Sequence, residues 1–198
     1  MKIFISYFFL IIIVANNLFA QIQNTKNAQG LFLTIGVGPR FPIGELADQQ
    51  TIGAGFDIML SYTDSELAPV FFYGNLSYQN HPGDYEYYKK TDLSSLSTSI
   101  FSFHGGTRYY FHPLVEDVIL LMPILEGGFS YSYIEKFNQY KIDTGKSDKL
   151  QNISKFGFHI GGGLSFFLMD VVFIYNFISE NQYLSASLRI TLPLALSL

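Results

Sequence analysis

The sequence predicts an all-β fold: an eight-stranded antiparallel up-and-down transmembrane β-barrel, preceded by a cleavable signal peptide. Three observations carry that expectation. The last segment, Tyr183 to Leu198, alternates throughout: Leu184, Ala186, Leu188, Ile190, Leu192, Leu194, Leu196 and Leu198 oppose Ser185, Ser187, Arg189, Thr191, Pro193, Ala195 and Ser197. Successive side chains of a strand point to opposite faces, so one face is apolar and the other small and polar. The run exceeds the ~9–11 tilted residues that cross a bilayer. The same parity recurs in seven segments upstream. Finally, only 14% of residues are charged against 48% hydrophobic, where a soluble domain carries ~25% charged.

The leader is read from the first twenty residues. Met1-Lys2 is a basic start, Ile3 to Val14 an apolar core, and Asn16 to Ala20 a polar stretch ending on a small residue. Leu18, third from the expected cut, is larger than the usual alanine. The apolar core falls short of the ~20 residues of a spanning helix, so cleavage is expected rather than anchoring. Residues 1–20 are therefore assigned to the signal peptide and 21–198 to one barrel domain. The absence of cysteine excludes a lipidated cysteine anchor and disulfides. Loss of Lys2 moves the net charge from −4 to −5, which gives no electrostatic reason to bind nucleic acid.

Each strand is justified by its own parity. The first sets Leu31, Leu33, Ile35 and Val37 against Thr34, Gly36, Gly38 and Arg40. The second sets Ile52, Ala54, Phe56, Ile58, Leu60 and Tyr62 against Thr51, Gly53, Gly55, Asp57, Met59 and Ser61. The third opposes Val70, Phe72, Leu76 and Tyr78 to Tyr73, Asn75, Ser77 and Gln79. The fourth opposes Phe101, Phe103, Thr107, Tyr109 and Phe111 to Ser102, His104, Gly106, Arg108 and Tyr110. The fifth, about Val118 to Ile134, begins apolar on both faces, then sets Leu125, Phe129, Tyr131 and Tyr133 against Glu126, Gly128, Ser130 and Ser132. The sixth sets Phe156, Phe158, Ile160, Leu164, Phe166 and Leu168 against Lys155, Gly157, His159, Gly161, Gly163 and Ser165. The seventh, Val171 to Glu180, is the least regular: Phe173, Tyr175 and Phe177 face outward, Asn176 and Glu180 inward.

The connections alternate in length. Asp64 to Pro69, His112 to Asp117 and Met169-Asp170 are short. Pro39 to Gln50, His81 to Ser97 and Phe137 to Asn152 are long and polar, and Ser179 to Gln182 is brief. An N-terminus in the periplasm would put every short turn there and every long loop outside, the usual asymmetry of outer-membrane barrels. Parity alone also fits a soluble lipocalin-like barrel with its apolar face inward. The polar face decides between them, because it is rich in Gly, Ser and Thr and poor in the Lys and Glu of a water-facing exterior. Its glycines suit the narrow inside of eight strands.

The run Gly36-Val37-Gly38-Pro39-Arg40-Phe41-Pro42-Ile43-Gly44-Glu45-Leu46, followed by Gly53-Ala54-Gly55-Phe56, resembles the first hairpin of small eight-stranded outer-membrane barrels of the OmpA/OmpX type. More specifically, it is similar to the outer-membrane β-barrel domain proteins of Bacteroidota-type bacteria. The final strand resembles the C-terminal signal read by the barrel-assembly machinery, although Leu198 stands where an aromatic is usual. The resemblance implies outer-membrane lipid and lipopolysaccharide as surroundings, no cofactor, and no catalytic residues.

The inward ionisable residues are Asp57, His104, Arg108, Glu126, His159 and Arg189, and charges with little water about them must pair. Arg108 and Glu126 are expected as partners across a hairpin, with Asp57 and Arg189 in the same network. This polar network is read as a structural filling of a monomeric barrel. An enzymatic alternative, lipid modification by Ser102, His104 and Glu126, requires a serine activated by a hydrogen-bonded base. Two histidines, His104 and His159, without a third ligand are a weak metal signal. The loop residues Tyr85, Tyr87, Tyr88, Lys89 and Lys90 suit contact with another surface, since tyrosine adds contact area at low entropic cost.

Overall fold

The computed structural model of the chain describes residues 29–114 and 121–197. The expected leader and its cut, the residues from Val115 to Asp117 of the second short turn, the start of the fifth segment at Val118, and Leu198 lie outside the described residues. The strands are β1 (Gln29–Ile43), β2 (Gly53–Asp64), β3 (Val70–Pro82), β4 (Leu93–Tyr110), β5 (Leu121–Tyr140), β6 (Lys149–Phe166), β7 (Met169–Ile178) and β8 (Gln182–Ser197). Each pairs antiparallel with its sequence neighbours and β1 pairs with β8, closing the barrel.

The predicted parity survives in the wall. Ile35, Val37, Phe56, Ile58, Leu76, Phe103, Phe129, Phe158, Phe173 and Leu192 face outward and exposed, whereas Thr34, Asp57, Ser77, His104, Ser130 and Ser187 face inward and buried. Cross-strand pairs keep like with like: Leu33 with Leu60, Ile35 with Ile58, and Phe103 with Tyr131. The β1–β8 ladder slips once, between Leu31 and Phe32, where Leu31 pairs with Ala195 and Phe32 with Pro193. Proline has no amide hydrogen for the ladder, which explains a bulge there.

Three expectations need correction. Strands β1, β3, β4, β5 and β6 continue past the predicted ends, so the expected loops Pro39 to Gln50, His81 to Ser97 and Phe137 to Asn152 are strand at their margins, leaving connections at 44–52, 83–92 and 141–148. Above the apolar belt the outer face turns polar, as at Ser95, Ser97 and Ser99, while Leu96, Thr98 and Ile100 are buried on the inner face. The apolar-out pattern that marks the strand in sequence therefore disappears although the ladder continues. The connection at 83–92 also contains a one-turn helix, Tyr85–Lys89, capped by Asp84. Second, Asp170 is not a turn residue but the inward side chain at the start of β7. Third, Glu180 does not face the lumen: it sits exposed in the β7–β8 turn and pairs with Lys155 at 2.6 Å.

The inside is filled in layers. Toward the long-loop end, Ile100, Ile134, Ile178, Tyr183 and Leu46 form an apolar plug, with Leu46 delivered by the 3-10 turn Gly44–Leu46. Toward the short-turn end, Ile124, Val172 and Ile174 pack together against Tyr110. Polar and charged side chains lie between the two. These inward isoleucines and valines are why β5 and β7 look irregular in sequence.

A closed wall has no free edge, so its hydrogen bonds are expected to resist SDS until heating. Purified protein should migrate at one position unboiled and at another after boiling. A single position under both conditions would contradict closure.

Candidate functional site

The lumen holds three arginines and three carboxylates among the described residues: Arg40, Arg108 and Arg189 against Asp57, Glu126 and Asp170, each at most 6% exposed. Such groups survive burial only when paired and hydrogen-bonded. Register supplies the first pair directly, because Arg108 and Glu126 face one another across β4 and β5. Arg108 reaches Glu126 Oε2 through Nε at 2.8 Å and Nη2 at 2.7 Å. Arg189 from β8 donates through Nη1 to the same carboxylate, 3.0 Å from Oε1 and 3.1 Å from Oε2. Arg108 Nη1 also donates to Asp170 Oδ2 at 3.1 Å and to Tyr110 OH at 3.2 Å.

A second cluster stands beside this one. Arg40 Nη2 donates to Asp57 Oδ2 at 2.8 Å, Arg40 Nη1 to Ser187 Oγ at 2.9 Å, and Ser187 Oγ to Asp57 Oδ2 at 3.1 Å. Gly36 lies between the clusters. A Cβ there would stand 2.7 Å from Arg189 Cγ and 3.3 Å from Asp57 Oδ2, so any larger residue would displace both. The glycine at this height is the space that the arginine stem occupies.

Around the charges runs a neutral layer. His104 and His159 lie edge to face with ring centroids 5.0 Å apart. Both Nδ1 atoms hydrogen-bond Ser130 Oγ, at 2.8 and 3.0 Å. His104 Nε2 meets Ser77 Oγ at 3.1 Å and His159 Nε2 meets Tyr73 OH at 2.5 Å. Every ring nitrogen therefore has a hydroxyl partner. The cavity left amid these groups is about 10 Å³, the space of about one water.

All six residues named from the sequence are buried, and Arg108 and Glu126 are in ion-pair contact. The sequence reading expects Asp57 and Arg189 to share a network, but Asp57 bonds Arg40 whereas Arg189 bonds Glu126. Arg40 and Asp170 complete the charge balance and were not among the candidates. The parity of β1 already put Arg40 inward; for Asp170 the signal was its even spacing from Val172, Ile174 and Asn176. The Ser102, His104, Glu126 set is not assembled. Ser102 Oγ bonds Ser132 Oγ at 2.7 Å, the His104 nitrogens bond Ser77 and Ser130, and Glu126 is held by two guanidinium groups.

Of the loop residues, Tyr85 is 68% exposed, and Lys89 sits over its ring and pairs with Glu86 at 2.8 Å. Tyr88 is committed inward. Its hydroxyl donates to Leu96 O at 3.0 Å and accepts from Leu96 N at 3.1 Å. Tyr87 is half-buried and Lys90 exposed.

No family model and no curated protein matches the chain. Among solved structures it is similar to Neisserial surface protein A, with 13% identity and a TM-score of 0.49 over 83% of this chain and 97% of that one. It is also similar to the N-terminal β-barrel domain of Pseudomonas aeruginosa OprF, with 14% identity and a TM-score of 0.45 over 82% and 96%. A third is Ail, the attachment invasion locus protein of Yersinia pestis, with 12% identity and a TM-score of 0.47 over 85% and 100%. These neighbours are small eight-stranded outer-membrane β-barrels.

The shared network predicts comparable costs for its two central members. Glu126→Gln strips Arg189 of its carboxylate and leaves Arg108 with Asp170, and is expected to cost ~3–5 kcal/mol of unfolding free energy in urea. Arg108→Met leaves Glu126 with Arg189 but strands the buried Asp170, and should cost a similar amount. The double variant should cost less than the two combined; additive effects would mean the residues are not coupled. The filled lumen makes a separate prediction. Planar-bilayer recordings should give no stable porin-sized conductance, and a steady large current from pure protein would refute the packed interior.

Proposed function

We propose that the protein is a non-enzymatic integral outer-membrane barrel with a structural or surface-contact role. One observation carries the reading: the large apolar side chains of a closed barrel point outward in a continuous belt, and the charges point in. Phe156 is 79% exposed, Phe129 57%, and Leu194 52%. In water such a belt would aggregate, and in a bilayer it is the required exterior. A soluble lipocalin-like binder needs the opposite arrangement.

In this reading the signal peptide directs export, the barrel-assembly machinery inserts the chain, and lipid and lipopolysaccharide surround the belt of a monomer. The described chain ends lie at the short-turn end, where Gln29 pairs with both Asp64 and Ser197; the proposal places that end in the periplasm. The long-loop end then faces outward, with Tyr85, Lys89 and Lys90 available for surface contact. Lipid-modifying chemistry is disfavoured because Ser102 faces the lumen and its hydroxyl partner is another serine.

The test combines fractionation with lipid analysis. The protein should partition with the outer membrane, and protease added to intact cells should cut only at the long-loop end. Mass spectrometry of lipid A and phospholipids should be the same with and without the gene. Recovery as a soluble periplasmic protein would overturn the location. A changed acyl pattern, restored by wild type but not by Ser102→Ala, would overturn the non-enzymatic role.

A further inference from the structure

We infer that the long-loop mouth of the barrel is a binding site for a singly charged acidic sugar, a uronic acid or its glycoside. The mouth holds a cavity of about 430 Å³ between the 83–92 connection and the upper β5–β6 hairpin. That volume lies within the ~300–1,000 Å³ of ordinary ligand sites.

The walls of the cavity are cross-linked. Lys146 Nζ meets Asp92 Oδ2 at 2.7 Å, and Lys141 Nζ donates to Thr91 O at 2.7 Å and to Tyr88 O at 3.3 Å. The Lys141 backbone amide donates to Asp92 O at 2.9 Å. The Tyr88 hydroxyl pins the short helix to β4 through both polar groups of Leu96. The two connections thus hold each other around the space.

Within the cavity, polar groups converge without partners. Lys136, Gln49, Asn138 and Gln151 all line it. Among the described residues none of these four side chains has a hydrogen bond or ion pair within the protein. Some polar groups of this end are paired, Lys146 with Asp92, Lys155 with Glu180 and Gln50 with Thr98. Partnerless amides satisfy hydroxyl groups as donor and acceptor at once. The rings of Tyr87 and Tyr140 add apolar faces with polar tips. Together they match a pyranose: hydroxyls around its edge and an apolar ring face.

Charge sets the class of sugar. Lys136 is the cation of the cavity without a carboxylate partner, whereas Lys146 is neutralised by Asp92. Lys155, Glu180 and Glu45 all act on Lys136 through space, and Lys155 and Glu180 are paired with each other, so the cavity offers charge for one carboxylate rather than for several. The inference deepens the surface-contact reading, and depends on it only for the source of the sugar. That source is either the cell's own lipopolysaccharide core or a glycan outside.

The experiment titrates the full barrel, in micelles or nanodiscs without sugar headgroups, with methyl glucuronide, methyl glucoside and a polysulfated disaccharide. The glucuronide is expected to bind at least about tenfold more tightly than the glucoside, a difference of about 1.4 kcal/mol. Lys136→Gln should bring the two within about twofold while leaving heat-modifiable migration intact. Asn138→Ala should weaken both. Equal binding of the two glycosides, no binding, tighter binding of the polysulfated sugar, or an unaltered preference in Lys136→Gln would each overturn the assignment. None of these outcomes touches the barrel's location, which fractionation decides separately. Competition by purified lipopolysaccharide or by a soluble oligosaccharide carrying a single terminal uronate then assigns the source, and competition by neither overturns the inference.

Discussion

Glu126 is the constraint on which the inside of this barrel depends. One buried carboxylate accepts from two guanidinium groups, Arg108 beside it and Arg189 from the far side of the closure. Eight strands enclose room for side chains and for little water, so each charge must find its counter-charge within the wall's own reach. Glu126 alone cannot neutralise two arginines. Asp170 takes the second share of Arg108, while Asp57 absorbs Arg40. The three-to-three balance follows from the absence of solvent as a fallback.

Geometry elsewhere yields to this network. Gly36 has no side chain because the stem of Arg189 passes where its Cβ would be. The Tyr110 hydroxyl turns to Arg108, and its ring packs against the Ile124 cluster. The apolar plugs at both ends keep water from the ion pairs, which strengthens each of them. They also remove the continuous aqueous path that a gate would need.

Most of the wall was legible in the sequence because bilayer and lumen impose opposite demands on alternate residues, as in Leu188 to Leu192 around Arg189 and Thr191. What was illegible lay where those demands lapse. Above the belt, Ser95, Ser97 and Ser99 are strand residues without an apolar outer partner pattern to reveal them. Inside the plugs, Val172, Ile174 and Ile178 are apolar residues on the inner face, so β7 reads as noise. The Arg108–Glu126 pair was readable because a hairpin fixes register locally. The Arg189–Glu126 bond was not, because it spans the lumen and depends on barrel diameter. The cavity at the mouth was likewise out of reach, since its lining comes from three connections whose mutual docking no local pattern encodes.

The partition of basic residues carries the same physics further. All three arginines of the chain are in the lumen. Every lysine among the described residues, from Lys89 to Lys155, is at the long-loop end. Guanidinium is weakly hydrated and its planar fork engages carboxylates with several parallel bonds, so it tolerates removal from water when paired. Ammonium is compact, strongly hydrated and better left at the surface. An Arg189→Lys exchange would keep the charge but put a more strongly hydrated group in place of the guanidinium whose Nη1 meets both oxygens of Glu126. A lysine held half-buried without a carboxylate therefore runs against the rule the rest of the chain obeys. Lys136 is that exception, with Glu45 and Glu180 acting on it only through space and no carboxylate in ion-pair contact, which is the feature the proposed sugar site rests on.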